Sequence, residues 1–419
     1  MMVDKNLFLY DLAVVAILKN EGAYLKEWLD YHLLAGVNHF YLYDNDSPDD
    51  QAEVVAPYVE AGLVDYFHAP GRMMQYAVYN DTVKNFKFQC RYMAFIDGDE
   101  FIFPKTNQSI VETLDEILSQ NLNAAGVAIN YQIFGSNNHE TADLSRGVLE
   151  RFTRRAPVDW TELMYGGKYI FGTFYFKSIA NPRLISVVDN AHSINFFGDL
   201  HCVNSNGVIE QEAGKNRLVA PDKILLNHYP TKSREEFISR RYGKTNACWK
   251  ENSACDMTVF FVNDRNEEFD DGILKYRAAR AENFLLEDSD AKFNRVIKTL
   301  TEVISAYASG KSFSLETALT CLALSSYLLE KFPDNAARWK VYEEAAFAAI
   351  LTSLDNLTLI DGHMFIRALP KLLCLPYPAV KSLREIALQI IERLPELARM
   401  NEDWQFYVEL NYLQDLFKK

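Results

Sequence analysis

Leu12-Ala-Val-Val-Ala-Ile-Leu18 is an unbroken apolar run rich in β-branched residues, and it stops at the polar turn Lys19-Asn20-Glu21-Gly22. A strand without polar alternation is buried on both faces, which is the situation of a strand inside a parallel sheet. The residues that follow keep to that plan. Leu25, Trp28, Leu29, His32 and Leu33 recur at helical spacing as far as Gly36, a residue suited to ending a helix. His39 to Tyr43 is a second apolar run that enters the turn-rich stretch Asp44-Asn-Asp-Ser-Pro-Asp-Asp50. A helix is expected around residues 50–61, a third strand over Leu63–Phe67, a helix over 74–89 and a fourth strand from Tyr92 to Ile96, ending at Asp97. Strands alternating with helices predict a Rossmann-type α/β fold: a mostly parallel sheet flanked by helices and joined by right-handed crossovers.

Ligands of such sheets bind beyond the carboxyl ends of the strands. The turns Lys19-Asn20-Glu21, Asp44-Asn45-Asp46 and Asp97-Gly98-Asp99-Glu100 are therefore expected at one edge. From residue 125 to about 230 the pattern changes to aromatic-rich strand-like segments separated by Gly, Asn and Pro, which reads as a substrate-facing half. Beyond 290, helical patterns dominate (Leu315 to Lys331, Ala336 to Leu354, Val380 to Arg393) and predict an all-α C-terminal domain. With 419 residues the chain exceeds the size of one core. The expected division is 1–245, a connecting helical segment 246–289, and 290–419.

The formal net charge of −14 argues against duplex nucleic acid as the main partner. The six cysteines form no CxxC pair and suggest neither a zinc site nor a disulfide framework, so they read as thiols of a reducing compartment. The run Leu12–Leu18 is too short to span a membrane and lacks the layout of a signal peptide. The expectation is a cytoplasmic protein, at most peripheral at the inner face of a membrane.

Two carboxylates one residue apart, Asp97 and Asp99, can both point past the sheet edge, where oxygen ligands suit Mg²⁺ or Mn²⁺. Gly98 between them permits a tight turn. Such a cation would neutralise charge on a leaving nucleoside diphosphate, although an Asp-x-Asp turn by itself fits a solvated loop equally well. After His228 come Lys232, Arg234, Arg240, Arg241, Lys244 and Lys250 against Glu235 and Glu236. Ser233 and Glu236 form a capping box, so a helix is expected to start there and bring Lys232 to a diphosphate. Lys250 fits a solvated face better.

Val14 to Glu21, Leu25 to Gly36, His39 to Asn45, Phe95 to Ile102, Phe134-Gly-Ser136, Glu150-Arg-Phe152, Lys177-Ser178 and Asn227 to Phe237 occur in that order. Together they resemble glycosyltransferase family 92 and the neighbouring family 2 enzymes over about residues 12–245. The resemblance implies a GT-A-like nucleotide-sugar-binding domain whose Asp-x-Asp motif matches Asp97 and Asp99, and an inverting transfer. It also implies that Lys19, Asn20, Glu21 and Asp44, with Asp97, contact the donor. The sequence departs from the family at Ser136-Asn-Asn-His139. Enzymes of this fold often add a late His as a metal ligand; His228 and His192 are the candidates, with a buried structural role as the alternative.

Inverting transfer needs a carboxylate to deprotonate the acceptor hydroxyl. Glu140, Asp143, Glu150 and Asp159 are the candidates in the substrate-facing half, Glu150 fitting an ion pair and Asp159 a sugar-binding pair with Trp160 equally well. Trp160, Tyr165 and Tyr169 suit either sugar stacking or core packing. The expected activity is metal-dependent transfer of a hexose from a UDP-sugar to a glycan or lipid-linked saccharide acceptor. An Asp-dependent phosphohydrolase and a non-catalytic glycan-binding scaffold are the competing readings.

Overall fold

The computed structural model describes residues 3–106, 108–164, 169–209, 214–216, 218–243, 255–276, 289–354, 357–375, 380–401, 403, 406–407 and 410. These fall into two compact units: Tyr10–Phe196 with Leu200–Glu287, and Met1–Leu9, Phe197–Asp199 and Asp288–Lys419.

The first unit is built on a nine-stranded sheet. Its strands are β1 (Tyr10–Leu18), β2 (His39–Asp44), β3 (Val64–His68), β4 (Cys90–Phe95), β5 (Glu100–Pro104), β6 (Ala124–Ile133), β7 (Phe176–Ala180), β8 (His201–Asn204) and β9 (Ile224–His228). They lie in the order β3-β2-β1-β4-β7-β6-β9-β5, with β8 beside β6. The first four strands are parallel, in registers such as Leu18 to Asp44 and Val15 to Phe95, as the apolar runs predict. The helices α1 (Gly22–Leu34), α2 (Gln51–Glu60) and α3 (Gln75–Phe86) connect them. Because β2 and β4 flank β1 on opposite sides, the carboxyl ends of β1 and β4 bound the crevice where such sheets hold ligands.

β5 has no counterpart in the sequence reading. After the acidic turn the chain reverses and returns as the apolar strand Glu100–Pro104, antiparallel to β9 at the far end of the sheet order. Helix α1 fastens it there. The Trp28 indole donates to the Glu100 carbonyl at 2.7 Å, and the Tyr31 hydroxyl to the Ile102 carbonyl at 2.7 Å. His32 Nε2 accepts from the Ile102 amide at 3.2 Å, which leaves Nδ1 to donate to the Trp28 carbonyl at 2.8 Å.

Four more α-helices complete those described in this unit: α4 (Ile110–Ser119), α5 (Val148–Arg151), α6 (Arg234–Arg240) and α7 (Met257–Asn263). The Arg151 guanidinium on α5 grips the Glu236 carboxylate on α6 with two bonds, 2.7 and 2.9 Å, and both side chains are buried.

The second unit contains α8 (Ser289–Ala308), α9 (Leu315–Lys331), α10 (Ala336–Ser353), α11 (Leu359–Leu372) and α12 (Val380–Met400). Ser314 caps α9, and Thr358 with Asp361 forms a capping box on α11. The N-terminal residues belong to this unit because Arg295 of α8 donates to the carbonyls of Asn6 and Phe8, at 3.2 and 3.3 Å. Phe197 joins it by stacking on His363, with ring centroids 4.7 Å apart. Among the described residues no helix is long and apolar enough to cross a membrane.

Burial pushes His32 down to about 3. The unfolded chain takes up a proton below its ordinary value of about 6.5, which the folded chain refuses, so stability from this group is present above that pH and falls as the pH drops below it. Denaturant unfolding at pH 7.5, 6 and 5 should show the loss, about 2 kcal/mol by pH 5 from this residue. The same series on His32→Gln should be flatter by that amount; equal slopes would remove His32 from the account. The Arg151–Glu236 pair gives a second expectation. Glu236→Gln, which keeps the capping box but strands a buried guanidinium, should cost roughly 3–5 kcal/mol, and the double change Arg151→Met with Glu236→Gln should cost less.

Candidate active site

The turns after β1 and β2 are stitched together. Asn20, in the left-handed region at φ 59°, donates its amide to Ser47 Oγ at 3.1 Å. The Glu21 amide donates to Gln51 Oε1 at 3.2 Å, and the Gly22 amide to Asp49 Oδ2 at 2.9 Å. Asp44 Oδ1 accepts from Gln51 Nε2 and from the Ser47 amide, both at 3.1 Å. The Asn20 Oδ1 atom is buried without a hydrogen-bond partner. Lys19 is exposed beside them. The acidic turn presses against this edge: a Cβ on Gly98 would stand 2.8 Å from Leu18 Cδ2 and 3.2 Å from Glu21 Cγ, so any larger residue would have to push those side chains aside.

Asp97 and Asp99 leave that turn for different partners. Asp97 accepts from Gln75 Nε2 at 3.0 Å and from Lys177 Nζ at 2.9 Å. Lys177, on β7, is 1% exposed and also stands 3.8 Å from Glu100. Burial opposes its charge, but Asp97 and Glu100 outweigh that and hold the ammonium above its ordinary range. Glu100 is fully buried, taking the Tyr131 hydroxyl at 2.7 Å and the Asp97 amide at 2.8 Å, and burial raises its carboxyl. Asp99 faces His228 Nε2 at 3.5 Å and Arg241 Nη1 at 3.9 Å. Burial alone would raise the Asp99 carboxyl; His228, Arg241 and Lys232 hold it well below the usual range.

Lys232 carries the most unusual environment. Its backbone is left-handed at φ 52°, its side chain is 1% exposed, and Nζ has no hydrogen-bond partner. Burial and then the neighbouring Arg240 push its ammonium down to about 8. Arg240 is ion-paired with Glu21, yet its Nη1 is also buried without a partner. Both cations lie on Tyr24, the ammonium 4.5 Å and the guanidinium carbon 4.7 Å from the ring centroid.

Several expectations need correction. The capping box forms at α6, but the Ser233 and Glu236 side chains already take that helix's end amides and the helix has only seven residues. Lys232 is therefore singled out by its buried, unmatched charge and not by a helix dipole. Asp97, Asp99, His192 and His228 do not form one cage, since among the described residues no group of three or more His, Cys, Asp or Glu side chains is arranged to hold a metal. Asp97 is held by Lys177, and His192 Nδ1 lies 3.1 Å from the Phe176 carbonyl and 3.4 Å from the Tyr131 hydroxyl. Asp99 and His228 remain as a facing pair, and the His228 Nδ1 atom is buried without a partner.

The carboxylates considered as bases sit on the segment after β6. Glu140 is exposed and pairs with Arg234 at 3.4 Å, Asp143 accepts from Ser145, Glu150 pairs with Arg146 at 3.1 Å, and Asp159 is exposed. Trp160 is 7% exposed and packs into the core with the Arg265 guanidinium over its ring, so it offers no open face for a sugar. Tyr165, Lys244 and Lys250, and the side chain of Tyr169, lie outside the described residues. Gln75, Tyr131, Tyr24 and the role of Lys177 were not anticipated; among them Lys177 alone fell within a motif, Lys177-Ser178, that carries the family resemblance.

The profile of glycosyltransferase family 92 matches residues 15–260. A glycosyltransferase family 92 protein of Ricinus communis is 24% identical over 234 residues, covering 56% of this chain and 38% of that protein. A galactan beta-1,4-galactosyltransferase of Arabidopsis thaliana is 30% identical over 101 residues, covering 20% of this chain and 18% of its own. The chain thus spans well under half the length of these relatives. Among solved structures, TarS of S. aureus in complex with UDP is similar over 82% of this chain and 90% of that one, at 12% identity and a TM-score of 0.31. With its match spanning more than half of the chain, the protein belongs to glycosyltransferase family 92.

Proposed function

We propose that this chain is an inverting glycosyltransferase that moves a hexose from a UDP-sugar to a glycan or lipid-linked saccharide acceptor with the help of Mn²⁺ or Mg²⁺. The observation that carries this reading is the buried Lys232 ammonium without an acceptor, beside Arg240 and Arg241, at the edge formed by Asn20, Glu21 and Asp99. A buried charge without a partner is costly, and such groups persist where a ligand completes them. A diphosphate supplies several anionic oxygens at once. The turns after β1 and β2, with the unpartnered Asn20 Oδ1, suit the nucleoside on the side away from those cations.

Asp99 and His228 fit a divalent cation as a carboxylate and imidazole pair, the kind of sparse protein set that leaves the remaining positions to phosphate oxygens and water. That cation, when bound, would supply charge neutralisation on the leaving diphosphate. Lys232, Arg240 and Arg241 add fixed positive charge at the same group, and the burial of Lys232 makes its charge act more strongly than it would in water. Lys177 and Gln75 keep Asp97 fixed, which leaves its carboxylate engaged and unsuited to the nucleophile role that a phosphohydrolase would give it.

Two titrations test this. Calorimetry with UDP and Mn²⁺ should show tight binding only with the metal, and Asp99→Asn should abolish the metal-dependent part, whereas Asp97→Asn should weaken Mn²⁺ binding by less than about threefold, under 1 kcal/mol. Equal losses in the two variants would restore Asp97 as a ligand. Lys232→Met should weaken UDP binding by about 10- to 100-fold, equivalent to roughly 1.4–2.8 kcal/mol. UDP affinity unchanged in Lys232→Met would sink the site proposed here.

A further inference from the structure

Tyr24 stands in the first turn of α1 and is 7% exposed. Lys232 Nζ and Arg240 Cζ lie 4.5 and 4.7 Å from its ring centroid, and the Glu236 carboxylate that Arg151 grips is a charged neighbour of its phenol. The ring therefore has a fixed place. Arg151 fixes Glu236 beside the phenol, and two cations rest on the ring.

Two positive side chains packed this closely repel each other. Glu21 pairs with Arg240, and Glu21, Asp99 and Glu236 reach Lys232 only through space, so the contact on which the Lys232 ammonium rests is the aromatic ring. A carboxylate in the same position would also steady the ammonium, but it would occupy the ammonium's hydrogen-bond donors and cancel its charge. An aromatic face does neither: it attracts a cation through its quadrupole and leaves the N–H groups and the full charge available. The unpartnered Lys232 Nζ and Arg240 Nη1 atoms are what such an arrangement leaves behind.

Resting on the donor site proposed above, we infer that Tyr24 is a positioning residue whose ring face holds Lys232 and Arg240 ready for the diphosphate of the donor without neutralising them. It touches no reacting atom. Its effect is on donor affinity, carried by the electron density of the ring.

The test replaces Tyr24 by phenylalanine and then by mono-, di- and trifluorophenylalanine, a series that keeps ring shape and drains the ring face step by step. UDP affinity in the presence of Mn²⁺ is measured by calorimetry on the full chain, with thermal unfolding followed in parallel. The inference expects Kd to rise with each fluorine, by about tenfold across the series, with KM for the nucleotide sugar rising in step and kcat little changed. A flat series overturns it, because a ring that only fills space is indifferent to its quadrupole. Tyr24→Leu, if it folds, should fall at or beyond the weak end of the series. Lys232→Met keeps the two levels apart. Loss of UDP binding in Lys232→Met with a flat fluorine series defeats the role of Tyr24 alone, whereas UDP binding that ignores Lys232→Met defeats the donor site itself.

Discussion

Lys232 and Arg240 bring two positive charges to one largely buried tyrosine ring, and neither is fully matched by protein oxygens. Charge in such surroundings has to be balanced or it destabilises the fold. Here the balance is deliberately partial in its physics: Glu21 answers Arg240, the ring face steadies both, and one ammonium stays unmatched. Much of the surrounding structure serves that arrangement. The left-handed backbone at Lys232 aims the side chain inward, the Ser233–Glu236 box starts α6 immediately after it, and the Arg151–Glu236 pair ties α6 to α5. Strain of this kind concentrates at ligand clamps.

The sheet explains why the cations and the acidic turn meet. Strands β1 and β4 are parallel neighbours, so the loops beyond Leu18 and Phe95 leave the sheet side by side. The reversal into β5 places Glu100 opposite His228 on β9, which brings Asp99 to the same edge as the segment carrying Lys232. Division of labour within the acidic turn follows from what each carboxylate meets. Asp97 faces a fully buried lysine and is neutralised by protein; Asp99 faces an imidazole with an unpartnered nitrogen and keeps a strongly acidic carboxyl. Two aspartates with the same spacing from one glycine thus have different chemistry, and only their surroundings distinguish them.

The parallel half of the fold was legible because it obeys local rules. Leu12–Leu18 and Tyr92–Ile96 are apolar without alternation, and both are buried central strands. Gly98 was legible as a tight turn for the same local reason. What the sequence did not reveal depends on pairing at a distance. Glu100–Pro104 lies beside residues 224–228, Lys177 reaches Asp97 across 80 positions, and Tyr24 meets Lys232 across more than two hundred. Glu140, Asp143, Glu150 and Asp159 look alike as carboxylates in a substrate-facing half; only the exposure of Glu140, Asp143 and Asp159 and the pairing with Arg234, Ser145 and Arg146 separate them from the buried edge. Trp160 stayed undecided for the opposite reason, since an aromatic suited to a sugar face is equally suited to a core, and the structure gives it the core.

The central claim is that an anionic group of a nucleoside diphosphate completes the Lys232–Arg240 pair. A crystal structure of the chain with UDP and Mn²⁺ tests it most directly. The account predicts a phosphate oxygen within about 3 Å of Lys232 Nζ, the distance of a charge-assisted hydrogen bond, with Mn²⁺ on Asp99 and Asp97 still held by Lys177. A diphosphate bound away from Lys232, or a metal coordinated by Asp97 with its lysine displaced, would contradict it.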